Sequence, residues 1–300
     1  MSTAGPNLSD VDLRLLRVFQ CVVQYNGFSA AQEHLGLSQA TISNHMIHLE
    51  DRLGMRLCER GRGGFVLTEQ GKSVHSAMLD LFGAIENFRS VLGAAKGELT
   101  GNLNFGTVDA MYTNPKFDLA GVLEDFASLA PKVSVDLDIV APQALSQGML
   151  SGRYHVVLTP TQRYPKSFRS VAILTERQML YCGARHPLYE TPDSSITRAM
   201  LTEYPFAARS YMSEEELFGI KFRATANTAY MEGTALLILS GQYIGFLPDH
   251  FAERWVSSGQ MRVLSPDTFA FDDTFHAVYR RKDPNPVAQA FSRCLERRGD

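Results

Sequence analysis

From Asp12 to Tyr25 the apolar residues recur at helical spacing, with Leu15, Phe19, Val22 and Val23 on one face and Leu16 at its edge. Asn26-Gly27 is expected to end this helix, glycine being free to take the left-handed cap conformation. Ser29 is placed to cap a short second helix through Ala30, Ala31 and Leu35, whose small alanines let two helix backbones approach closely. Gly36 supplies a turn, and Ser38 caps a third helix that ends near Leu53. On that helix Ile42, Met46, Leu49 and Leu53, spaced four, three and four apart, form a stripe for burial. Gln39, Ala40, Ser43 and Asn44 project from another side, close to the helix N-terminus.

Periodicity alone leaves two readings of these helices open. One is a small packing unit with a polar solvent face. The other is a helix-turn-helix, whose second helix enters the DNA major groove by its N-terminal end. Glutamine and asparagine can pair there with adenine, and alanine can touch a thymine methyl. The next segment favours the second reading. Gly61, Gly63 and Gly64 surround the short apolar run Phe65-Val66-Leu67, a pattern that predicts a β-hairpin wing. Arg52, Arg56, Arg60, Arg62 and Lys72 face only Glu59 and Glu69 in the same stretch, so positive charge collects where a phosphate or the minor groove would lie.

Thr68 can cap a further helix. Its apolar positions Val74, Met78, Leu81, Ile85, Phe88 and Leu92 alternate spacings of four and three, a heptad seam. Such a seam serves either a partner helix or the chain's own core. Lys96 to Gly101 reads as a hinge. Beyond it the pattern changes to alternating strands and helices: strands at Leu103–Val108, Val133–Val140 and His155–Leu158, with helices at Phe117–Leu129 and Ala144–Leu150 between them. A second set follows, with strands at Met179–Cys182, Phe206–Ala208 and Tyr243–Leu247, helices at Ala229–Leu239 and after Pro248, then strand Phe275–Tyr279 and helix Pro286–Glu296. Units of this kind imply a parallel sheet covered by helices.

The chain has 300 residues, enough for two domains, and its 45% hydrophobic content suits a globular protein with a real core. A formal charge of −3 excludes a uniformly basic nucleic-acid binder but leaves room for a local basic surface. The first ten residues hold no basic segment leading into an apolar run, so no secretory signal is expected, and no stretch is apolar enough for a membrane span. Cys21, Cys58, Cys182 and Cys294 lie far apart. Free thiols in a reducing cytoplasm fit them better than a peroxide-sensing pair, and no cofactor or metal is expected.

Several runs together resemble the N-terminal signature of LysR-type transcription regulators: Phe28-Ser29-Ala30-Ala31, Leu35 to Ser43, Leu49 to Gly54, Arg60, and Leu67 to Gly71. They occur in order over about sixty residues, which makes the match far stronger than any single motif. Two positions depart from the family pattern. Cys58 stands where an aromatic residue is usual, and Asn44 where many members carry arginine. The resemblance implies an all-α winged helix-turn-helix over 1–67, a linker and dimerisation helix with its hinge over 68–98, and an α/β effector domain over 99–300. That domain is similar to periplasmic binding proteins, with one subdomain at about 101–163 and 268–300 and the other at about 164–267. It also implies a cytoplasmic homodimer through the linker helix, a homotetramer, contact with RNA polymerase, and a DNA-facing set of Ser38, Gln39, Ala40, Thr41, Ser43, Asn44, His48, Arg60 and Arg62.

In such a fold a ligand lies in the cleft beyond the carboxyl ends of the strands. By that rule the effector candidates are Thr107, Asp109, Thr159, Arg209, Ser210, Thr225, Asn227, Phe246 and Pro248. Asp109 would suit an amine and Arg209 a carboxylate, so an amino acid or related amine is the expected effector, although Asp109 serves equally as a helix cap or a solvated loop acid. Two other classes compete. A hydrolase using His155, Cys182 and Asp109 would need a nucleophile elbow, phosphate loop, dinucleotide fingerprint or metal cluster, none of which is present in the sequence. A cytosolic or exported solute-binding protein would leave the N-terminal helices without a purpose.

Overall fold

The computed structural model describes residues 9–61, 64–160, 163–211 and 217–299, with the backbone alone at 60, 61 and 64. The chain divides into two compact units, Met1–Ala84 and Ile85–Asp300.

In the first unit the apolar stripes become three helices, α1 (Asp10–Gln24), α2 (Phe28–Leu35) and α3 (Gln39–Leu53). Leu15, Phe19 and Val22 of α1 meet Ala31 of α2 and Ile42, Met46 and Leu49 of α3 in one core. An antiparallel hairpin follows, β1 (Cys58–Gly61) with β2 (Gly64–Leu67), and then the long helix α4 (Glu69–Ala95). Two local expectations are corrected. Asn26, with φ 52°, takes the left-handed conformation after α1, while Gly27 has φ 152° and is itself the N-cap of α2, so Ser29 lies inside that helix. Asn tolerates the left-handed region because its short polar side chain can bond locally.

The run Leu67 to Gly71 is a joint. Thr68 Oγ1 accepts from Gly71 N at 2.9 Å and donates to Arg56 O at 2.7 Å. A Cβ built on Gly71 would lie 1.9 Å from Leu57 O, so only glycine lets α4 start this close to the residues before β1. The heptad seam of α4 then splits. Met78 is buried in the core of the first unit, with Val74 and Leu81 packed against it, whereas Phe88 is 62% exposed and Leu92 47%.

The second unit is built on a sheet of nine strands among the described residues. Its chain order is β3 (Thr100–Thr107), α5 (Leu119–Leu129), β4 (Lys132–Ile139), α6 (Pro142–Leu150), β5 (Val156–Pro160) and β6 (Phe168–Gly183). Then come α7 (Arg198–Glu203), β7 (Pro205–Arg209), β8 (Arg223–Thr228), α8 (Met231–Leu239), β9 (Ile244–Pro248), α9 (Asp249–Ser257), β10 (Met261–Val263), β11 (Ala270–Arg280) and α10 (Pro286–Gly299). Across the sheet the order is β4-β3-β5-β11-β6-β9-β7-β8, with β10 beside β6. Two groups of parallel strands, β4-β3-β5 and β9-β7-β8, are joined by the long antiparallel pair β6 and β11. Each group has its own core, one around Phe105, Phe126 and Phe291, the other around Phe206, Phe246 and Phe269.

The joining strands are longer than the expected Met179–Cys182 and Phe275–Tyr279. In β6 the almost wholly buried Glu176 and Gln178 interrupt the apolar run just before Met179, so the strand reads as starting only there. Strands β8 and β10 and helix α7 are additions to the elements that the apolar pattern predicts.

Candidate DNA-binding surface and effector cleft

The start of α3 is set by its own polar residues. Ser38 Oγ accepts from Thr41 N at 3.2 Å and lies 2.9 Å from Thr41 Oγ1, while Gln39 N donates to Gln32 Oε1 at 3.1 Å. Ser38 and Thr41 therefore shape the helix end, leaving Gln39, Ala40, Asn44 and His48 exposed and Ser43 half-buried. Ile47 joins this surface, three residues after Asn44 and 46% exposed. Sequence reasoning missed it. The signal was an isoleucine lying off the Ile42-Met46-Leu49 stripe, where an apolar tip can touch a thymine methyl.

The wing is anchored rather than free-standing. Glu50 Oε1 accepts from Leu57 N at 2.8 Å and Cys58 N at 3.3 Å, and Phe65 packs edge-on against Phe28 with centroids 6.0 Å apart. Arg62 and the Arg60 side chain lie outside the described residues. Arg56 is exposed. Arg52 is not part of a DNA-facing cluster, because its guanidinium clasps Asp12, itself only 4% exposed, through both Nε and Nη2.

In the second unit, strand ends meet loops and a helix start. A cavity of about 720 Å³ opens beyond the ends of β3 and β4 and is lined by Thr107, Asp109, Tyr112, Asp118, Tyr230 and Glu232, with Met111, Phe117, Leu119, Leu137 and Ile139 as apolar walls. Among the described residues no lysine, arginine or histidine lines it. Asp118 is committed elsewhere, capping α5 through Gly121 N and pairing with Arg298 at 2.9 Å. Asp109 Oδ2 accepts from Met231 N at 2.5 Å, so the residue caps α8 while also facing the cavity. Burial pushes its carboxyl up from the ordinary value, opposed by that backbone N–H and by the charge of Arg209.

Arg209 ends β7, 6% exposed. Its Nη2 donates to Gln178 Oε1 at 2.7 Å and to Phe246 O at 3.3 Å, and its Nη1 to Tyr211 Oη at 3.0 Å. Among the described residues its bonds go to neutral groups and its Nε has no partner. Thr107 Oγ1 and Thr159 Oγ1, at the ends of neighbouring strands β3 and β5, are likewise buried without a partner among the described residues. Of these three residues only Thr107 lines the cavity; Thr159 and Arg209 do not, and the link of Arg209 to it is the charge it exerts on Asp109.

Other candidates go elsewhere. The Phe246 ring belongs to the aromatic core with Phe206 and Phe222, and only its carbonyl reaches Arg209. Thr225 is exposed in the middle of β8, three residues before the strand end, and does not line the cavity. Ser210 and Asn227 are exposed near the ends of β7 and β8, and Pro248 is buried at the end of β9. Tyr112, Tyr211, Tyr230 and Glu232 escape the sequence reading, because loop and helix-start residues carry no periodic signal.

Two family models match this chain: the bacterial regulatory helix-turn-helix protein, lysR family, over residues 13–72, and the LysR substrate binding domain over residues 96–300. The chain belongs to the LysR family. This LysR-type regulator is 36% identical to the HTH-type transcriptional activator BauR of Pseudomonas aeruginosa, over 95% of this chain and 94% of that protein. It is 25% identical to the RuBisCO operon transcriptional regulator of Allochromatium vinosum, over 94% of each. Its fold resembles ArgP from Mycobacterium tuberculosis, with TM-score 0.66 and 16% identity over 98% of each chain. It also resembles full-length CbnR complexed with its target DNA, with TM-score 0.65 and 18% identity over 96% of this chain and 99% of that one.

As a member of this family the LysR-type regulator is a DNA-binding transcription regulator with a small-molecule effector domain, and not an enzyme. The residues a hydrolase would use have other jobs. Burial pushes the Cys182 thiol up to about 12, far from a reactive thiolate, and His155 Nδ1 accepts from Asn104 N at 3.0 Å. No helix among the described residues is long and apolar enough to cross a membrane.

Proposed function

We propose that the effector is an amino acid or a related amine metabolite, bound with its cationic end in the cavity beside Asp109 and its carboxylate toward Arg209. The observation that carries this reading is a buried guanidinium whose bonds, among the described residues, go to neutral groups and whose charge acts on Asp109, a wall of a cavity whose charged linings, among the described residues, are all carboxylates. Asp109 and Glu232 supply the negative charge, and the faces of Tyr112 and Tyr230 suit a cation. Thr107 and Thr159 would give the ligand hydroxyl partners, with Ser210 and Asn227 at exposed strand ends and Pro248 buried at the end of β9.

The proposed organisation is a DNA-binding domain over 1–67, a linker helix and hinge over 68–98, and an effector domain over 99–300. The exposed Phe88, Val91 and Leu92 of α4 support dimerisation through that helix, and the exposed Leu236 supports further contacts between copies in a tetramer. Two recognition helices on one duplex gain avidity and demand a near-palindromic site. Gln39, Ala40, Ser43, Asn44 and His48 read bases, and Arg60 and Arg62 reach the backbone. Ligand binding closes the cleft and re-spaces the DNA-binding pairs, altering DNA bend and access for RNA polymerase in the cytoplasm. It can do so only by differential affinity for the two arrangements.

Thermal-shift screening of the full chain against amino acids, simple amines and plain carboxylates tests the effector class. Stabilisation by compounds carrying both groups supports it, and stabilisation by amine-free carboxylates alone refutes it.

A further inference from the structure

The cavity beside Asp109 has two unlike ends. Its polar end is built where β3 stops and α8 starts. Thr107, 1% exposed, lines it with a hydroxyl that has no partner among the described residues, and Asp109 and Glu232 bring carboxylates. Its other end follows from strand register. β3 and β4 run parallel, with Thr107 opposite Ile139 and Phe105 opposite Leu137, so these four side chains share one face of the sheet. On the inner strand that face is closed, because Phe105 packs edge-on against Phe291 of α10, centroids 4.8 Å apart, and is wholly buried. On the edge strand it is open. Leu137 and Ile139 are 42% and 54% exposed, and both line the cavity together with Leu119 and Leu123, four residues apart on α5.

Element geometry sets the length of this apolar strip. Leu137 lies two residues before Ile139, about 7 Å along the strand. Leu123 lies four residues after Leu119, about 6 Å along its helix. The two steps run side by side, so a hydrocarbon group of several carbons is covered from both walls. A purely ionic occupant would leave this strip wet. A purely apolar one would leave the Thr107 hydroxyl unbonded and bring no charge to Asp109 and Glu232. An occupant with one cationic and one apolar end satisfies both.

We propose that the effector is an amine with an apolar body, its ammonium held by Thr107 Oγ1 and the Asp109 carboxylate and its hydrocarbon part lying along Leu137, Ile139, Leu119 and Leu123. This rests on the reading of the cavity as an amine site and narrows it. Amines and amino acids with hydrocarbon side chains are separated from the smallest ones and from those whose side chain ends in a polar group. An ammonium has three hydrogens to give. The Thr107 oxygen accepts one, and the Asp109 carboxylate keeps lone pairs beyond those that bond Met231 N and its own backbone N–H.

A homologous series of primary amines tests this on the full chain. Methylamine, propylamine and pentylamine are titrated calorimetrically, with pentanol and aminopentanol as controls. Affinity is expected to rise about two- to fourfold for each added methylene, as burial of hydrocarbon does. Aminopentanol, which puts a hydroxyl on the strip, is expected to bind several-fold more weakly than pentylamine, and pentanol, which lacks the ammonium, more weakly still. Leu137→Ser and Ile139→Ser, both at exposed sites and each checked for folding by its melt without ligand, are expected to flatten the series. Equal affinities across the three amines, or a series as steep in both variants as in the wild type, overturn the apolar body and leave the amine site standing. Pentanol binding as tightly as pentylamine, or no binding of any amine, overturns the amine site itself and the apolar amine with it.

Discussion

Arg52 of α3 reaches across the helical unit to Asp12 of α1, its Nη2 2.6 Å from Asp12 Oδ2 and its Nε on the other carboxylate oxygen. Asp12 is also the far end of a capping box, accepting from Ser9 N at 2.7 Å. One carboxylate thus fixes the start of α1 and ties it to the end of the recognition helix. The Arg52 guanidinium is the main cause holding the Asp12 carboxyl well below the ordinary carboxylate range. An acid whose native titration is depressed contributes stability that is present above its unfolded titration and lost as pH falls through the native one. Asp12→Asn is therefore expected to lower the unfolding midpoint at neutral pH and to flatten its acid dependence. Arg52→Ala should act similarly, with the double variant close to either single one. Additive losses measured by thermal melts would show that the two residues act separately.

Base readers and phosphate contacts should separate by salt and sequence. Gln39→Ala and Asn44→Ala are each expected to erase about 1–3 kcal/mol of discrimination against the wrong base at one operator position. Arg56→Ala, removing an exposed cation placed to meet phosphate, is expected to weaken all sequences alike and to lower the salt slope by about one. Fluorescence anisotropy on operator and mutated duplexes, at several salt concentrations, distinguishes the two patterns.

Gly71 tests the joint between wing and linker helix. Gly71→Ala drives a Cβ into Leu57 O and is expected to cost about 1–3 kcal/mol or more, as overpacking does. Gly83, also within α4, has nothing within 4 Å of a built Cβ, and Gly83→Ala should stabilise by up to about 1 kcal/mol. Denaturant titrations that rank the two variants the other way would show that the Leu67 to Gly71 run is not a close-packed joint.

Much of the architecture was readable because burial in the helices follows one period. Ile42, Met46 and Leu49 line up in the sequence and in the core, and Ser38 and Thr68 cap where short hydroxyl residues precede apolar periodicity. The pattern fails where polar groups are buried for a purpose. Glu176 and Gln178 occupy buried positions of β6 where the pattern expects apolar residues, so the strand was read as starting only at Met179. Arg52 misled for a related reason, since sequence shows its charge but not that Asp12, forty residues earlier, receives it. The strand-end rule reached Thr107, which lines the cavity, because that position follows from topology, while Thr159 and Arg209 sit at strand ends outside its lining. It missed Tyr112, Tyr211 and Tyr230, whose placement depends on how loops and helix starts pack.

The unpartnered hydroxyls allow a test without knowing the effector in advance. Thr107→Val and Thr159→Val replace a buried, unbonded oxygen by a methyl of similar shape. Neither is expected to destabilise the free protein, and each alone should weaken binding of a compound found by the screen about tenfold. Asp109→Asn keeps an oxygen for Met231 N and should spare the fold while removing affinity for amines. Calorimetric titration of that compound into each variant checks both outcomes, and unchanged affinity in all three would place the ligand elsewhere.

Sequence-selective DNA binding is the property on which the rest depends, and a titration of the full chain against the promoter flanking its gene reads it out. With matched and scrambled duplexes at two salt concentrations, the expected outcome is tight retention of the matched duplex, steep weakening with salt, and loss of the preference in a Gln39→Ala, Asn44→Ala double variant that remains folded. Equal affinity for both duplexes, or a double variant that discriminates as well as the wild type, would mean that the exposed start of α3 is not the surface that reads DNA.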